Sequence, residues 1–172
     1  HQDAKYIGLE PHNWVTAWVA ITDANENNGC MRMWPGSHKN NLKHHNQKFD
    51  ANNLLTRGQT IENVPIKETE PVILKAGQMS LHHPTIVHGS GINKSNDRRI
   101  GFVVQSYIGD NVNQVLGKMF VQLARGKDRY KYHQYSNIPE EFMNIKDIEC
   151  RDIANEELSK IFYNGSKKIG KY

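Results

Sequence analysis

The feature that most constrains the fold is a series of β-strand patterns in the first two thirds of the chain. The segment "VTAWVAI" at 15–21 alternates strictly and is rich in β-branched and aromatic residues, which is typical of a strand. The alternation predicts one packed face and a second face that lines a cavity. The predicted packed face comprises Val15, Ala17, Val19 and Ile21, and the predicted cavity face comprises Thr16, Trp18 and Ala20.

Turn signals separate this strand from those that follow. Asn28-Gly29, at the end of "DANENNG", predicts a hairpin whose return strand is "CMRMW" at 30–34. Residues 70–91 predict a strand, an Ala-Gly turn, a second strand and a glycine-rich bend, and "RRIGFVVQSYI" at 98–108 predicts another strand. Helices do not alternate with these strands, so the pattern favours a β-sandwich or β-barrel.

The last third of the chain has a helical character. We expect "NQVLGKMFVQLARG" to form a helix that ends at Gly126, and a second helix to end at Asn164-Gly165. The second helix is indicated by the spacing of Ala154, Leu158, Ile161 and Phe162. The sequence therefore predicts a β core over 1–110 and a helical extension over 111–172 that packs on it. The polar stretch 39–60 predicts a long loop with at most a short helix.

Composition limits the classes of partner. The chain has 172 residues, 37% hydrophobic and 23% charged, which is typical of a single soluble domain. No apolar run is long enough to span a bilayer. The net charge of +4 is spread as lysine-rich patches near both ends of the chain and not as one block, and no nucleic-acid-binding motif is present. Two cysteines far apart in sequence form no disulfide framework. We expect a cytoplasmic protein that binds neither nucleic acid nor membrane.

Histidines and a carboxylate suggest a metal site. On a strand, His1 and Asp3 in "HQD" would point to the same face and supply half of such a site. A further histidine ligand could come from "LHHPTIVHGSG", which contains His82, His83 and His88. Two histidines and one carboxylate on one face of an octahedral metal form the facial triad of non-haem Fe(II) oxygenases. An arginine at 98 or 99 could bind a carboxylate through two hydrogen bonds.

Several motifs in order resemble the phytanoyl-CoA dioxygenase family. They are "HQDAKYIGLEP", "VTAWVAI", "NNGCMRMWPGSHK", "NNLLTRGQ", "GQMSLHH" and "HGSGINKSNDRRIGF". The resemblance covers residues 1 to about 108 and continues more loosely through "ARGKDRY" and "IFYNGSKK". It implies a double-stranded β-helix, a jelly roll of the cupin type, and dependence on Fe(II) and 2-oxoglutarate. Members of the family also use residues upstream of the first histidine, so we expect an N-terminally truncated bacterial member, a fragment whose N-terminal strands are missing.

The resemblance also implies residue roles. His1, Asp3 and His88 would be the iron ligands, and Arg99 would pair with the distal carboxylate of 2-oxoglutarate. Ser90 and Trp18 match positions that contact this co-substrate. Three alternatives stay open: Trp18 as an ordinary core residue, Ser90 as a stabiliser of the bend, and Arg98 in place of Arg99.

The implied reaction is hydroxylation of an unactivated C–H bond with O2 and 2-oxoglutarate, releasing succinate and CO2. Related halogenases have a small residue where this chain has Asp3, so the resemblance implies a hydroxylase. The substrate is expected to be a small molecule, either anionic or like an amino acid or phosphonate, with Arg57 or Arg32 as candidate contacts. The oligomeric state is left open. The alternatives are a non-catalytic jelly-roll protein that binds a metal or ligand, and an inactive fragment of the oxygenase.

The other histidines receive simpler interpretations. His82 and His83 are adjacent, so on a strand they face opposite ways, and one of them is expected to line the pocket without binding metal. His44 and His45 are expected to be solvated because they lie in a polar loop. Cys30, Met31 and Met33 are expected to pack within the hairpin and not to act as redox groups. Two further histidines, His12 and His38, are expected to be turn residues.

Overall fold

The computed structural model describes residues 1–49 and 58–167, which form a mainly β structure with a long C-terminal helix. The helices are α1 (Ala4–Ile7) and α2 (Ile145–Phe162), with 3-10 turns at Ser37–Lys39 and Ile66–Glu68. Within the described residues the strands are β1 (Leu9–Glu10), β2 (Trp14–Ala20), β3 (Met31–Met33), β4 (Asn46–Gln47), β5 (Gln59–Thr60), β6 (Glu70–Pro71), β7 (Met79–His82), β8 (His88–Ser90), β9 (Gly101–Ile108), β10 (Asn113–Gln114), β11 (Phe120–Val121) and β12 (Gln134–Tyr135). The predicted mainly β fold with a C-terminal helix is confirmed.

The described residues divide into two compact units. The first unit comprises His1–Lys5, His12–Asn46 and Gln59–Ile108, and the second comprises the described residues of Tyr6–Pro11, Gln47–Gly58 and Gly109–Tyr172. A domain boundary near residue 110 stays a prediction. Over 1–49 and 58–167, no helix combines the length and the apolar character that crossing a membrane requires.

Two three-stranded antiparallel sheets form the first unit. One has the order β7-β2-β9 and the other has the order β6-β3-β8. The consecutive strands β7, β8 and β9 therefore step from one sheet to the other and back. This alternation agrees with the double-stranded β-helix that the resemblance implies, because such a fold winds its chain between two sheets.

The apolar core of this unit lies between the two sheets. Trp18 and Ala20 come from β2 and Met31 comes from β3, and these side chains share one buried cluster. The cluster comprises Trp18, Ala20, Ala24, Cys30 and Met31, with Met33, Val72 and Leu74 packed against it. Cys30 and Met31 thus pack in a cluster that joins the two sheets and not within a hairpin, because β2 and β3 do not pair.

The two faces of β2 differ in burial from the prediction. Thr16, Trp18 and Ala20 on the predicted cavity face are all buried. On the predicted packed face Ala17 is buried, but Val15 and Val19 are half-buried and Ile21 is 53% exposed. The reason is that the second sheet packs on the face that carries Trp18. A cavity-lining interpretation of that face was therefore incomplete, since most of it contributes to the core.

The predicted hairpin at Asn28-Gly29 is wrong. β2 and β3 belong to different sheets and do not pair with each other. The turn between them is closed by its own side chains, because the Asn25 and Asn28 amide oxygens accept hydrogen bonds from backbone N–H groups of the turn. Gly29 has a φ of 73° and lies against the backbone of 91–93, where a side chain would not fit.

The second unit contains two short strand pairs and α2. β1 pairs with β10 in antiparallel fashion, and β11 pairs with β12 in parallel fashion. The predicted helix ending at Gly126 is wrong, because 113–114 and 120–121 pair with distant strands instead. Tertiary pairing here overrides a modest helical propensity. The predicted last helix is confirmed: Asn144 caps its N-terminus by accepting from the Lys146 N–H at 2.9 Å, and Gly165 follows it with a φ of 69°.

We predict that Gly101→Ala destabilises the first unit. Gly101 lies opposite Ala20 in the β2–β9 pair, and a Cβ atom there would overlap the indole ring of Trp18. Displacing a buried ring costs about 1–3 kcal/mol in the free energy of unfolding. Denaturant unfolding, with near-ultraviolet circular dichroism for the ring, measures both effects.

Gly89→Ala is the matched control for this prediction. Gly89 is also a strand glycine, but a Cβ atom there would meet nothing within 4 Å. Equal stability of the two variants would show that Trp18 is not held against β9.

Candidate metal centre

The His1-x-Asp3 motif lies in a turn that leads into α1, and the prediction that it occupies a strand is wrong. The Lys5 N–H donates to the Gln2 carbonyl at 3.1 Å, and the Ala4 N–H donates to the Pro84 carbonyl at 3.0 Å. The turn nevertheless brings the two functional groups together, because His1 Nε2 lies 3.1 Å from Asp3 Oδ1. Their convergence comes from the turn and not from strand alternation.

His88 joins the pair through reciprocal backbone hydrogen bonds. The His88 N–H donates to the His1 carbonyl at 3.0 Å, and the His1 backbone nitrogen donates to the His88 carbonyl at 2.9 Å. These bonds place the two imidazole rings side by side, with centroids 4.2 Å apart. His88 Nε2 lies 3.7 Å from Asp3 Oδ1.

The donor atoms of His1, Asp3 and His88 fit a single metal ion. One ligand atom from each lies within 4.8 Å of the others, and among the described residues this is the group of His, Cys, Asp and Glu side chains with such spacing. Two imidazole nitrogens and one carboxylate oxygen form a donor set that suits Fe(II) and similar divalent transition metals. The structure thus brings together all three residues that the sequence predicts as ligands.

The protonation states also suit metal binding. Burial alone would raise the pKa of Asp3, but its close contacts with the imidazoles of His1 and His82 and the electrostatic influence of His88 bring that pKa well below its ordinary value. Burial lowers the pKa of His88 to about 4. At neutral pH Asp3 is therefore ionised and His88 is neutral. The Nδ1–H of His88 donates to the Ile86 carbonyl at 3.1 Å, so the lone pair of its Nε2 is available for a metal.

Gln2, between the two ligands of the motif, is fully buried and fixes the turn. Its side-chain amide donates to the Thr85 carbonyl at 2.6 Å and accepts from the Lys43 N–H at 2.8 Å. Its backbone N–H donates to His45 Nε2 at 3.0 Å, and His45 Nδ1 donates to the Lys43 carbonyl at 2.9 Å.

The expectation that His45 is solvated is wrong, since only 8% of it is exposed. The polar loop around His45 contains no local pattern that indicates its contact with Gln2. The neighbouring His44 is exposed, as expected.

The structure resolves which of the adjacent histidines faces the centre. His82 is buried, with its Nε2 3.6 Å from Asp3 Oδ2, whereas His83 Nδ1 lies 2.7 Å from the Thr85 hydroxyl. Thr16 was predicted only to line a cavity, and its hydroxyl donates to Asp3 Oδ2 at 3.0 Å. Sequence reasoning did not identify either Thr16 or His82 as a partner of the carboxylate.

Three further predicted site residues lie next to one another. The guanidinium carbon of Arg99 lies 5.4 Å from the ring centroid of Trp18, and Arg99 Nη2 is 3.4 Å from the Ser90 hydroxyl. Ser90 follows His88 on β8, and Trp18 follows Thr16 on β2, so alternation along each strand aims both side chains at the same side as the ligands. Trp18 also belongs to the core cluster, so the two interpretations of this residue are compatible.

The remaining candidate arginines differ in their surroundings. Arg57 lies outside the described residues. Arg32 is engaged by other groups: its Nη1 donates to Glu26 at 2.6 Å, and its other nitrogens donate to the Thr69 hydroxyl and carbonyl. We therefore leave Arg32 out of the substrate site. Arg98 is exposed, and both Arg98 and Arg99 precede β9. The strand begins at Gly101, so the expectation that it begins at Arg98 is wrong by three residues.

The geometry agrees with a family assignment made from sequence. The family described as phytanoyl-CoA dioxygenase (PhyH) matches residues 1–101. The matched range is more than half of the chain, and it contains all three candidate ligands together with Arg99. The chain belongs to the phytanoyl-CoA dioxygenase family.

Two curated relatives illustrate the range of the family. Human peroxisomal phytanoyl-CoA dioxygenase is 33% identical over 103 residues, which cover 58% of this chain and 30% of that protein. A Stutzerimonas stutzeri protein described as a probable alpha-ketoglutarate-dependent hypophosphite dioxygenase is 29% identical over 119 residues, covering 68% of this chain and 41% of that protein. The matched part of the chain thus spans between 30% and 41% of the length of these relatives.

A solved structure extends the similarity beyond the family match. The non-haem monooxygenase ThoJ in its apo form has a TM-score of 0.80 and 30% identity, covering 95% of this chain and 59% of that chain. Its nickel complex has a TM-score of 0.74 and 27% identity, covering 95% of this chain and 58% of that chain. The fold seen here is therefore that of a known non-haem monooxygenase over nearly the whole chain.

We predict that the metal-free protein becomes less stable as the pH is lowered, because His45 takes up a proton more readily in the unfolded chain than in the folded chain. Burial lowers the pKa of His45 to about 4, from an unfolded value of 6.5, with the charges of His1, Lys5 and His44 acting in the same direction. Between these two pKa values the imidazole of His45 is protonated in the unfolded chain but neutral in the folded chain. The free energy of unfolding is therefore highest above about pH 6.5 and falls towards pH 4, by at most about 1.4 kcal/mol per pH unit for one proton.

The measurement compares denaturant unfolding of the wild type, His45→Gln and the exposed control His44→Gln in the presence of a chelator. His88 contributes a slope of the same sign, so the difference between variants isolates His45. His45→Gln should show a shallower dependence than His44→Gln. An imidazole NMR titration of His45 with a midpoint near 6.5 would contradict the prediction.

Proposed function

We propose that this chain carries the metal and co-substrate site of an Fe(II)- and 2-oxoglutarate-dependent dioxygenase. The observation that carries the proposal is the convergence of His1, Asp3 and His88, whose candidate ligand atoms all lie within 4.8 Å of one another. Two imidazoles and one carboxylate leave one side of an octahedral ion open, which is the arrangement of non-haem Fe(II) oxygenases. Membership of the phytanoyl-CoA dioxygenase family and the similarity to ThoJ support the same class.

When bound, iron would supply the activation of O2, coupled to oxidation of 2-oxoglutarate to succinate and CO2 and to insertion of one oxygen atom into a substrate C–H bond. The chain's own residues hold and orient the reactants. The side chains of His1, Asp3 and His88 would hold the ion from one side. The neutral imidazole of His88 and the ionised carboxylate of Asp3 are already in their ligating forms at neutral pH.

Arg99 is proposed to bind the distal carboxylate of 2-oxoglutarate. A guanidinium presents parallel N–H donors that match a carboxylate, and stacking on Trp18 restricts its orientation. The Ser90 hydroxyl, 3.4 Å from Arg99 Nη2, offers a second donor on the same side. These three residues would orient the co-substrate towards the ligand cluster.

The outcome is proposed to be hydroxylation and not halogenation. A halide needs a vacant coordination position where this chain has the Asp3 carboxylate, and that carboxylate is held in place by contacts at both oxygens. The substrate is proposed to be a small anionic molecule or one like an amino acid or phosphonate. The description of the Stutzerimonas stutzeri relative as a hypophosphite dioxygenase supports a small phosphorus oxyanion as one class to screen. A contribution of Arg57 to substrate binding stays a prediction.

We predict that Asp3→Ala abolishes co-substrate turnover. The chain is incubated with Fe(II), ascorbate and 2-oxoglutarate under air, and succinate is measured. The wild type is expected to form succinate and, without oxygen, to show the visible charge-transfer absorption of the iron and 2-oxoglutarate complex. Asp3→Ala should lose both signals because one of three ligands is removed.

The control is Asp152→Ala, which removes an exposed aspartate of α2 that pairs with Arg151. This variant should behave as the wild type does. If the wild type gave neither succinate nor the anaerobic absorption, the oxygenase proposal would be wrong, and a non-catalytic binding protein would be the better description.

We predict that Arg99→Gln weakens 2-oxoglutarate binding, whereas Arg98→Gln does not. Losing a charged hydrogen-bonding partner costs about 1.5–3 kcal/mol, so the KM for 2-oxoglutarate should rise about tenfold or more in Arg99→Gln. Arg99→Lys should recover only part of the loss, since an ammonium lacks the paired donors. Equal effects at 98 and 99 in titrations of 2-oxoglutarate would refute the assignment of Arg99.

A further inference from the structure

The two oxygens of the Asp3 carboxylate face different partners. Oδ1 points towards the candidate ligands, 3.1 Å from His1 Nε2 and 3.7 Å from His88 Nε2. Oδ2 points away from them, accepting from the Thr16 hydroxyl at 3.0 Å and lying 3.6 Å from His82 Nε2. One oxygen thus faces the metal position, and the other is engaged by the sheet.

The contacts to Oδ2 come from one place in the fold. Thr16 on β2 and His82 on β7 are direct partners across the antiparallel pair, so their side chains stand next to each other on the same face. Both residues are buried, at 3% and 5% exposure. The contact of Thr16 has the length of a hydrogen bond, whereas that of His82 is longer and is electrostatic.

Packing alone does not explain why a histidine is buried at position 82. Its Nδ1 is shielded from solvent and has no hydrogen-bond partner within the described residues. A buried unpartnered polar atom costs about 1–3 kcal/mol, so packing alone would favour an apolar side chain at this position. The Asp3 carboxylate is the polar group that Nε2 of His82 faces.

We propose that Thr16 and His82 are positioning residues that hold Asp3 Oδ2, so that the carboxylate binds the metal through Oδ1 alone. The proposal rests on the proposed function, because it concerns the same metal site. A carboxylate can bind a metal through one oxygen or through both. Binding through both would take a fourth coordination position and require Oδ2 to leave Thr16. Holding Oδ2 would therefore leave the rest of an octahedral ion available for 2-oxoglutarate and oxygen.

The test uses the full chain loaded with Co(II), whose visible absorption reports coordination number. Thr16→Val removes the hydroxyl with little change of shape, and His82→Phe removes the ring nitrogens but keeps a ring. Each variant is expected to lose metal affinity by about 10–100-fold, as is typical when partners of metal ligands are removed. Each is also expected to change the Co(II) spectrum and to weaken 2-oxoglutarate binding to the loaded protein in calorimetry.

Conservative variants separate positioning from general damage. Thr16→Ser keeps the hydroxyl and His82→Gln keeps an N–H donor, so both should restore the wild-type spectrum and most of the affinity. Ser80→Ala is the matched control, because Ser80 is on β7 two residues from His82 and its buried hydroxyl has no partner in the described part of the chain. This control should match the wild type in metal affinity and spectrum.

The outcomes distinguish the two proposals. Failure of the wild type to bind Co(II) would overturn the proposed function and, with it, this inference. Normal binding by the wild type, with wild-type spectra and affinities in Thr16→Val and His82→Phe, would overturn the positioning role alone. If Ser80→Ala lost metal affinity to the same extent, the effect would be one of packing and the positioning role would be overturned. The same conclusion would follow if Thr16→Ser and His82→Gln failed to recover the affinity and the spectrum.

Discussion

The buried carboxylate of Asp3 is the constraint on which the arrangement of the first unit depends. Only 3% of this residue is exposed, and an unpaired charge removed from water costs several kcal/mol. Its partners come from separate segments: His1 from the same turn, Thr16 from β2, His82 from β7 and His88 from β8. The charge is compensated only when both sheets and the turn are assembled, so forming the fold and forming the site are the same event.

The turn that carries Asp3 is fixed by groups that have no chemical role of their own. Gln2 uses its backbone N–H and both ends of its side-chain amide on loop atoms, and each of those bonds is buried or nearly so. His45 can accept the Gln2 N–H only while its Nε2 is unprotonated. A ligand turn without regular secondary structure thus gains its rigidity from a satisfied polar network, which is the kind of support that preorganises a metal site.

Local patterns in the sequence predicted what local interactions determine. The strands β2, β7 and β9, the Ala-Gly turn before β7 and the helix α2 were readable because alternation, turn chemistry and capping act over a few residues. The partner of β3 and the strands within 113–121 were not readable, because they depend on pairing with distant segments. The same limit explains His45, whose burial depends on a contact 43 positions away in sequence.

The candidate ligands show a subtler relation between sequence and structure. His1 and Asp3 were expected to converge through strand alternation, and they converge through a turn. Spacing of two residues brings side chains together in either geometry, so the motif predicted the cluster without predicting its backbone. The alternation argument did hold for His82 and His83, which diverge as adjacent strand residues do, and only the structure shows that His82 is the one that faces the carboxylate.

Trp18 connects the core to the proposed co-substrate site. Its ring packs with Ala20, Cys30 and Met31 between the sheets, and it also lies beneath the guanidinium of Arg99. An aromatic ring can do both, because it buries a large apolar surface and presents the negative face of its quadrupole to a cation. The absence of a side chain at Gly101 gives the ring its space. Core packing therefore fixes the ring on which the guanidinium of Arg99 stacks, two positions before the start of β9.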